Sequence, residues 1–307
     1  MKFTIGFVLS IIFFGLSASA QNACQLLTHR SEVNGNLELE QKNTYNSEGK
    51  ITEDWKAYVT HYGDAYTQKT IFQYDEKGFL IKETFYRNDE IEKVKAYVYD
   101  GRGNIISVTE SKGETSQLIP MNKYSLNGNS SEKVFFEKDG SVSGKEIDQK
   151  NSDGKLILHQ IVNSEGKVNH SSEYTYNAKG TKTYQKLNDV AGNMIEETFY
   201  KINENEKVSV DSTFLNNQLI ARSVYTYDLG LLKQKSRYGR NNKLDYVINY
   251  EYDTKGRNTL EVFNYNGEKL STVQRAYDAN DNLVNETYLN KDNQVVRIKT
   301  WEYTCPN

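Results

Sequence analysis

Proline and cysteine are both scarce in this chain, with two of each among 307 residues. Proline cannot donate a backbone N–H to a β-ladder, so its scarcity is compatible with long stretches of paired strand and excludes collagen-like and proline-rich classes. Neither sign of charge is in large excess, because 38 Lys and Arg stand against 41 Asp and Glu. Without a basic surface to attract phosphates, the chain is not expected to bind nucleic acid.

Apolar residues are also few, at 37% of the chain, and the mean hydropathy is -0.75. These values exclude an integral membrane protein and argue against a thick, wholly apolar core. Aromatic residues are abundant by contrast, with 23 Tyr, 12 Phe and 2 Trp. So many rings are incompatible with a solvated, disordered chain, and the sequence therefore predicts a folded protein whose apolar surface is largely tyrosine.

The one long apolar run lies at the start of the chain. Lys2 precedes the run Phe7–Leu16, and the small residues Ser17–Ala20 follow it. This order predicts a secretory signal peptide over residues 1–20, cleaved after Ala20. The alternative is a membrane anchor, but the run is shorter than the roughly 20 residues that a span needs. We therefore expect export to the periplasm, cell surface or medium, with no membrane span after cleavage.

A short unit of aromatic and turn residues recurs along the chain. A second turn rich in Asn, Asp and Gly lies near the middle of each repeat, and these residue types accept the positive φ of tight hairpin turns. The repeats run without a linker from about Tyr45 to the end. They predict one repeat domain over residues 45–307, preceded by an N-terminal capping segment over residues 21–44. Turn glycines at intervals of 25 or 26 residues mark the spacing: Gly78, Gly103, Gly128, Gly154 and Gly180.

Between the turns, aromatic and polar residues alternate. In one such segment Tyr174 and Tyr176 share a face, while Glu173 and Thr175 share the other. A period of two between Asn-Gly-type turns is typical of β-hairpins, and no later segment has a helical period. The sequence predicts an all-β fold, an antiparallel β-hairpin repeat array of roughly twenty strands in an extended or curled sheet or solenoid.

In register, the aromatic pairs are expected to form a ladder of rings along one face of the sheet, with a polar second face. Each ring can bury about 150–250 Å², and a cross-strand pair contributes about 0.2–1 kcal/mol. The ladder is expected to be the core of the array; the alternative is a surface that stacks on sugars or peptides. Its members are Tyr74, Tyr97, Tyr99, Tyr174, Tyr176, Tyr225, Tyr227, Tyr250, Tyr252, Trp301 and Tyr303.

The units at Tyr74, Tyr99 and Tyr227 resemble the YD repeats of RHS-type proteins. The resemblance extends from about Tyr45 to Tyr303, nearly the whole chain after the predicted signal peptide. It implies β-hairpins wound into a long, curled sheet, a place at the cell surface and, in many such proteins, carbohydrate binding. This chain is short, and nothing after its last repeat resembles a toxin, so the toxin-shell role of large relatives is not expected.

Residues arranged for catalysis or metal binding are not evident. Among the four histidines, His159 and His170 flank the turn at Ser164–Gly166 almost symmetrically. A zinc site needs three or four ligands, so this pair is expected to be a cross-strand polar contact. There is no Gly-x-Ser-x-Gly elbow and no Cys-His signature for nucleophilic catalysis. We expect no catalytic residue, no metal and no cofactor.

The carboxylates that recur are expected to shape turns. A catalytic acid would not be copied at one repeat position, whereas an Asp that bonds the backbone two residues on would be. Glu196–Glu197 and Glu204–Glu206 are the weak candidates for a glycosidase pair, and we expect them to be solvated strand and turn residues. The recurring acids are Asp75, Asp100, Asp228, Asp253 and Asp278.

The two cysteines, Cys24 and Cys305, lie at the two ends of the repeat array. An even count in an exported protein suggests a disulfide. About twenty strands at ~4.8 Å form a flat sheet about 100 Å across, whereas a bridge needs Cα atoms within about 7 Å. Three outcomes are open: an internal bridge in a sheet that curls until its ends meet, a bridge between two chains, or unpaired ends.

These features favour an exported, non-enzymatic repeat protein that acts as a binding or scaffold module at the cell envelope or surface. The expected partners are an envelope glycan or an envelope or surface protein. One alternative is a secreted carbohydrate-active hydrolase that uses turn carboxylates. The other is a purely structural spacer.

Overall fold

The computed structural model describes residues 24–60, 63–101, 103, 105–112, 115–119, 129–137, 141–190 and 192–305. The predicted signal peptide, with its cleavage site after Ala20, lies outside these residues. Within them the regular elements are all β-strands, which confirms the predicted all-β class. No helix in this part of the chain is long and apolar enough to cross a membrane.

The described residues form 22 strands, close to the predicted number. Their bounds are β1 Gln25–Val33, β2 Asn36–Tyr45, β3 Ile51–Val59, β4 Ala65–Tyr74, β5 Leu80–Arg87, β6 Glu90–Tyr99, β7 Ile105–Lys112, β8 Thr115–Ile119, β9 Ser130–Phe136, β10 Val142–Lys150, β11 Leu156–Asn163, β12 Val168–Tyr176, β13 Lys182–Asp189, β14 Met194–Ile202, β15 Val208–Leu215, β16 Gln218–Asp228, β17 Leu231–Gly239, β18 Leu244–Tyr252, β19 Asn258–Tyr265, β20 Glu268–Tyr277, β21 Leu283–Asn290 and β22 Val295–Thr304.

Each strand pairs antiparallel with the next one along the chain, from β1 to β8 and from β9 to β22. In addition, β22 pairs with β1, so one sheet runs from β9 to β22 and on through β1 to β8. β1 and β2 are ordinary members of this sheet. The hairpins therefore begin at Gln25, inside the segment that was expected to cap the array.

The first and last described residues, Cys24 and Cys305, meet because the sheet curls. The ladder between β1 and β22 runs from the pair Gln25–Thr304 to the pair Val33–Arg297. It carries a bulge between Leu26 and Thr28. A disulfide joins Cys24 to Cys305 across 281 residues, with Cα atoms 4.1 Å apart. Of the three outcomes left open by the sequence, the structure shows the internal bridge, in a curled rather than an extended sheet.

Three of the five recurring acids, Asp75, Asp253 and Asp278, shape turns as predicted. The Asp75 carboxylate accepts hydrogen bonds from the backbone N–H groups of Lys77 (3.0 Å) and Phe79 (2.8 Å). Asp253 and Asp278 accept the same pair of bonds. Asparagine takes this role in other repeats, at Asn46, Asn151, Asn163, Asn177, Asn203 and Asn290.

The other two predicted turn acids are Asp228 and Asp100. Asp228 pairs with Leu231 in the ladder and precedes a tight two-residue turn, Leu229–Gly230, in which both residues have positive φ. Its turn is thus shorter than the turns after Asp75, Asp253 and Asp278, and Asp228 is the last residue of a strand. The turn after Asp100 lies partly outside the described residues.

The sheet buries few apolar side chains. Among the described residues, the buried apolar side chains are Val134, Val162 and Ala221, while more polar side chains than apolar ones are buried. The expectation of a uniformly polar second face is wrong, however, because that face also carries rings. Phe199 contacts Tyr184 and Phe214, with ring centroids 5.0 and 5.8 Å away.

Candidate binding face and seam pocket

All eleven members of the predicted ladder lie on one face of the sheet and are half-buried, whereas the residue between each pair is exposed. We call this surface the ring face. Side chains alternate between the two faces of a strand, so its other members follow from the pairing register. Tyr58 and Tyr66, for example, are directly opposed on β3 and β4 and belong to the ring face. The alternation predicted from the sequence therefore places these rings together.

The second tyrosine of most pairs anchors its ring to the backbone. The Tyr74 hydroxyl donates to the carbonyl of Ile51, the first residue of β3, at 2.9 Å. Next to Ile51 the ladder carries a bulge, where the regular pairing of the two strands is interrupted. The same bond fixes Tyr45, Tyr99, Tyr176, Tyr227, Tyr252 and Tyr277. These hydroxyls therefore stabilise the fold, because a buried carbonyl without a hydrogen-bond partner costs folding free energy.

The first tyrosine of a pair can bond a carboxylate instead. The Tyr225 hydroxyl donates to Asp211 at 2.6 Å, and the Tyr97 hydroxyl donates to Glu83. Burial, followed by the hydrogen bond to Asp211, raises the pKa of Tyr225 well above its ordinary value. The hydroxyl of Tyr225 is therefore a neutral donor at physiological pH.

Cations occupy the space between successive anchored rings, where the sequence predicted ring-on-ring stacking. Lys50 lies over the Tyr74 ring, with Nζ 5.6 Å from its centroid. Such contacts are attractive because the face of an aromatic ring is negative. In one repeat Phe79 takes the place of the cation and stacks on Tyr99 at 4.9 Å. The other cation–ring contacts of this kind are Lys155 on Tyr176, Lys207 on Tyr227 and Arg257 on Tyr277.

A pocket of about 460 Å³ opens on the ring face where the two ends of the chain meet. We call it the seam pocket. Its lining comes from five neighbouring strands, β22, β1, β2, β3 and β4, so the sheet curves around it on this side. Its main side chains are His29, Glu38, Tyr58, Tyr66, Arg297 and Lys299.

Two parallel rings form one wall of the seam pocket. The centroids of Tyr58 and Tyr66 are 4.9 Å apart, with the ring planes inclined by 17°. The guanidinium of Arg87 lies 4.9 Å over the Tyr66 ring. Burial raises the pKa of Tyr58, so its hydroxyl stays protonated and can donate a hydrogen bond.

Charged groups form the opposite wall in pairs. Arg297 lies 3.2 Å from Glu38, and Glu38 also accepts a hydrogen bond from Ser31. Lys299 lies 3.6 Å from Glu286, a buried carboxylate on the neighbouring strand. Burial raises the pKa of Glu286, but hydrogen bonds from Tyr288 and Arg275 outweigh it and hold the pKa below its ordinary value.

His29 stacks on Trp301 at the floor of this region, with ring centroids 4.9 Å apart and ring planes parallel. Burial and the nearby Lys299 lower the pKa of His29. Its Nε2 is buried without a hydrogen-bond partner among the described residues. The histidine is therefore neutral and acts here as a flat, largely apolar surface.

The predicted His159–His170 contact is not made in the expected form. His159 opposes Ser172 and His170 opposes Ile161, so the two histidines are diagonal neighbours. His159 instead bonds Asp148 across β10, with Nδ1 and Oδ1 2.7 Å apart, and Glu146 lies 3.9 Å from the same nitrogen. Glu146, Asp148 and His159 are the group in the described chain that could hold a metal ion.

The acids considered for a glycosidase pair are not assembled into one. Glu196 and Glu197 are neighbours on a strand and therefore project from opposite faces. Glu197 accepts a hydrogen bond from Tyr184 on the face opposite the rings. Glu206 occupies the positive-φ turn position that glycine takes in other repeats, and it binds Asn177, Thr181 and Lys179 of the neighbouring turn.

The seam pocket itself was not predicted from the sequence. Tyr58 and Tyr66 flank a turn symmetrically, and this spacing could have paired them. Arg297 and Glu38 are 259 residues apart and meet because β22 pairs with β1. Nothing local in the sequence indicates that contact.

Comparison with known proteins identifies no family for the whole chain. A family model described as "Uncharacterised protein" matches residues 64–142, which is less than half of the chain. No curated protein matches the sequence.

Three solved structures are similar in part. The crystal structure of TcdB2-TccC3 without its hypervariable C-terminal region is 10% identical over 92% of this chain, with a TM-score of 0.43. This chain covers 19% of that one, so it spans about a fifth of its length. A porin-like protein from Bacteroides uniformis is 10% identical over 90% of this chain and 96% of its own, with a TM-score of 0.30. A porin-like protein from Bacteroides vulgatus is 13% identical over 92% of this chain and 99% of its own, with a TM-score of 0.27. The hairpins and turns described above identify this chain as a β-repeat protein by themselves.

Proposed function

We propose that this chain is an exported, non-enzymatic β-hairpin repeat protein that binds glycan chains at the cell envelope or surface. The observation that supports the proposal is the seam pocket. It combines the ring wall of Tyr58 and Tyr66 with the charged pair Arg297 and Glu38 on a concave part of the ring face. Kinship with the YD repeats of RHS-type proteins is part of the same proposal, supported by the Tyr-Asp hairpins and the curled sheet.

The chemistry of the pocket suits a sugar unit. A sugar presents apolar C–H edges, which pack against rings, and adjacent hydroxyls, which need both donors and acceptors. Arg297 offers a fork of donors, and Glu38 offers carboxylate oxygens beside it. The volume of about 460 Å³ falls in the range of roughly 300–1,000 Å³ typical of small-ligand sites.

The pocket favours a glycan over an extended protein partner, because it is concave, with tyrosine rings on one side and charged groups on the other. It also favours binding over hydrolysis, because glycoside hydrolysis ordinarily uses two carboxylates and Glu38 is the one acidic residue among the described residues that line the pocket.

The proposal is tested on the disulfide-bonded protein without its signal peptide, first with a glycan array and then by calorimetry with the strongest glycan. We expect Tyr66→Ala and Arg297→Gln each to weaken binding at least tenfold. Tyr86→Ala is the matched control, because Tyr86 is also a half-buried ring with a cation over it, Lys69 in place of Arg87, but lies on the opposite face.

Two results would overturn the proposal. One is an array without any bound glycan, or binding that Tyr66→Ala and Tyr86→Ala weaken equally. The other is cleavage of the bound glycan, detected by chromatography after incubation, which would contradict the non-enzymatic assignment.

A further inference from the structure

Three metal-binding side chains converge on the ring face at β10 and β11. Asp148 and His159 are directly opposed in the antiparallel ladder, and Glu146 lies two residues before Asp148 on the same strand. All three therefore project from one face. Their ligand atoms lie within 4.8 Å of one another.

We propose that Glu146, Asp148 and His159 bind a divalent transition-metal ion, with Zn²⁺ as the best match. An imidazole nitrogen suits transition metals, and carboxylate oxygens complete a set that Zn²⁺ accepts. Calcium and magnesium prefer oxygen ligands in larger number, so a site with an imidazole at its centre disfavours them.

The distances are compatible with a tetrahedral ion. Zinc bonds of about 2.0–2.2 Å require ligand atoms about 3.3–3.6 Å apart. In the structure Nδ1 of His159 is 2.7 Å from Asp148 and 3.9 Å from Glu146. Both separations are within about 1 Å of the tetrahedral spacing, so small side-chain rotations bring the three atoms to an ion without backbone movement.

The position of Glu146 separates a metal site from a simple His–Asp contact. A hydrogen bond from His159 to Asp148 already orients the imidazole, and Glu146 at 3.9 Å is too far to share it. The side chains of Glu146, Asp148 and His159 are 33%, 32% and 23% exposed, so an ion can reach them from solvent.

Three protein ligands leave a fourth position on a tetrahedral ion for water or another molecule. The site lies on β10 and β11, whereas the seam pocket lies on strands β22 to β4. Metal binding is therefore independent of the proposed glycan site, and either can fail without the other.

Calorimetry with ZnCl₂ tests the site on protein that has been treated with EDTA and dialysed. We expect one saturable site, with binding weakened at least tenfold by His159→Ala and by Asp148→Asn. Glu173→Gln is the control, because Glu173 is exposed on the opposite face of the neighbouring β12 and should leave binding unchanged. Circular dichroism and the urea midpoint of each variant show that it is folded.

Three outcomes would overturn the proposal. The first is the absence of saturable zinc binding by the wild-type protein. The second is binding by His159→Ala within twofold of the wild type, which would place the zinc elsewhere. The third is tight binding of CaCl₂ without binding of ZnCl₂, which would contradict the assignment to a transition metal.

Discussion

Replacing the anchored tyrosines with phenylalanine measures what the hydroxyl-to-carbonyl bonds contribute to the fold. Tyr74, Tyr176 and Tyr252 donate to backbone carbonyls at 2.8–2.9 Å. The change to Phe keeps the ring and removes the bond. The net contribution of such a bond is about 1 kcal/mol, and more where the carbonyl stays buried and unpaired.

The three tyrosines belong to strands that do not neighbour one another, so their effects should add. The triple variant is expected to lose about 3 kcal/mol of unfolding free energy. With a urea m-value near 3 kcal/mol/M, the midpoint falls by about 0.3 M for each single variant and about 1 M for the triple. Equilibrium unfolding in urea with the disulfide intact measures these shifts.

Tyr250→Phe is the matched control for Tyr252→Phe. Tyr250 lies two residues away on the same face, and its hydroxyl makes no hydrogen bond to the described residues. Its loss should move the midpoint by less than about 0.1 M. Equal shifts for the two variants, or a triple variant as stable as the wild type, would refute the role assigned to the bond.

Three further predictions concern the seam, a turn and the pH response. Replacing Cys24 and Cys305 with Ser removes a link across 281 residues. The chain-entropy relation for so long a loop predicts a loss of about 6 kcal/mol of unfolding free energy, and a loss below about 1 kcal/mol in urea unfolding would contradict it. Leu229→Asn should raise stability by about 1 kcal/mol, because Leu229 is 96% exposed at φ 46°, and an unchanged or lower urea midpoint would count against this reading. Burial, with a hydrogen bond to Glu197, raises the pKa of Tyr184 to about 12. A tyrosine whose pKa is higher in the folded state stabilises the folded state below pH 10, and this stabilisation is lost as the pH rises from 10 to 12. The urea midpoint should therefore fall more steeply over this range for the wild type than for Tyr184→Phe.

Local rules in the sequence predicted the turns and the strands well. Asp75 and Asp253 shape turns because their side chains bond the backbone a few residues on, and this effect needs no distant partner. Alternation in the same way placed Tyr174 and Tyr225 on one face. Both features depend on residues that are close in the chain.

Features that depend on the exact register or on contacts between distant strands could not be predicted from the sequence. The register between β11 and β12, with its bulge between Ile161 and Val162, places His159 opposite Ser172 and makes His159 and His170 diagonal neighbours instead of a direct pair. The rings of the opposite face, such as Phe199, lack the repeat spacing that marked the ladder. The seam pocket depends on curling of the whole sheet, which sums small twists over many strands.

The pairing of β22 with β1, closed by the Cys24–Cys305 disulfide, has the same geometry as an ordinary hairpin of this protein. Tyr303 opposes Leu26 beside a bulge, as Tyr45 opposes Ile51 beside a bulge, and the cystine occupies the place of the turn. The strand pairing therefore does not depend on which connection between neighbouring strands is left open. A circular permutant that links residues 24 and 305 through an Asp-x-x-Gly turn, and opens instead at the exposed turn after Asp253, should fold without any cysteine.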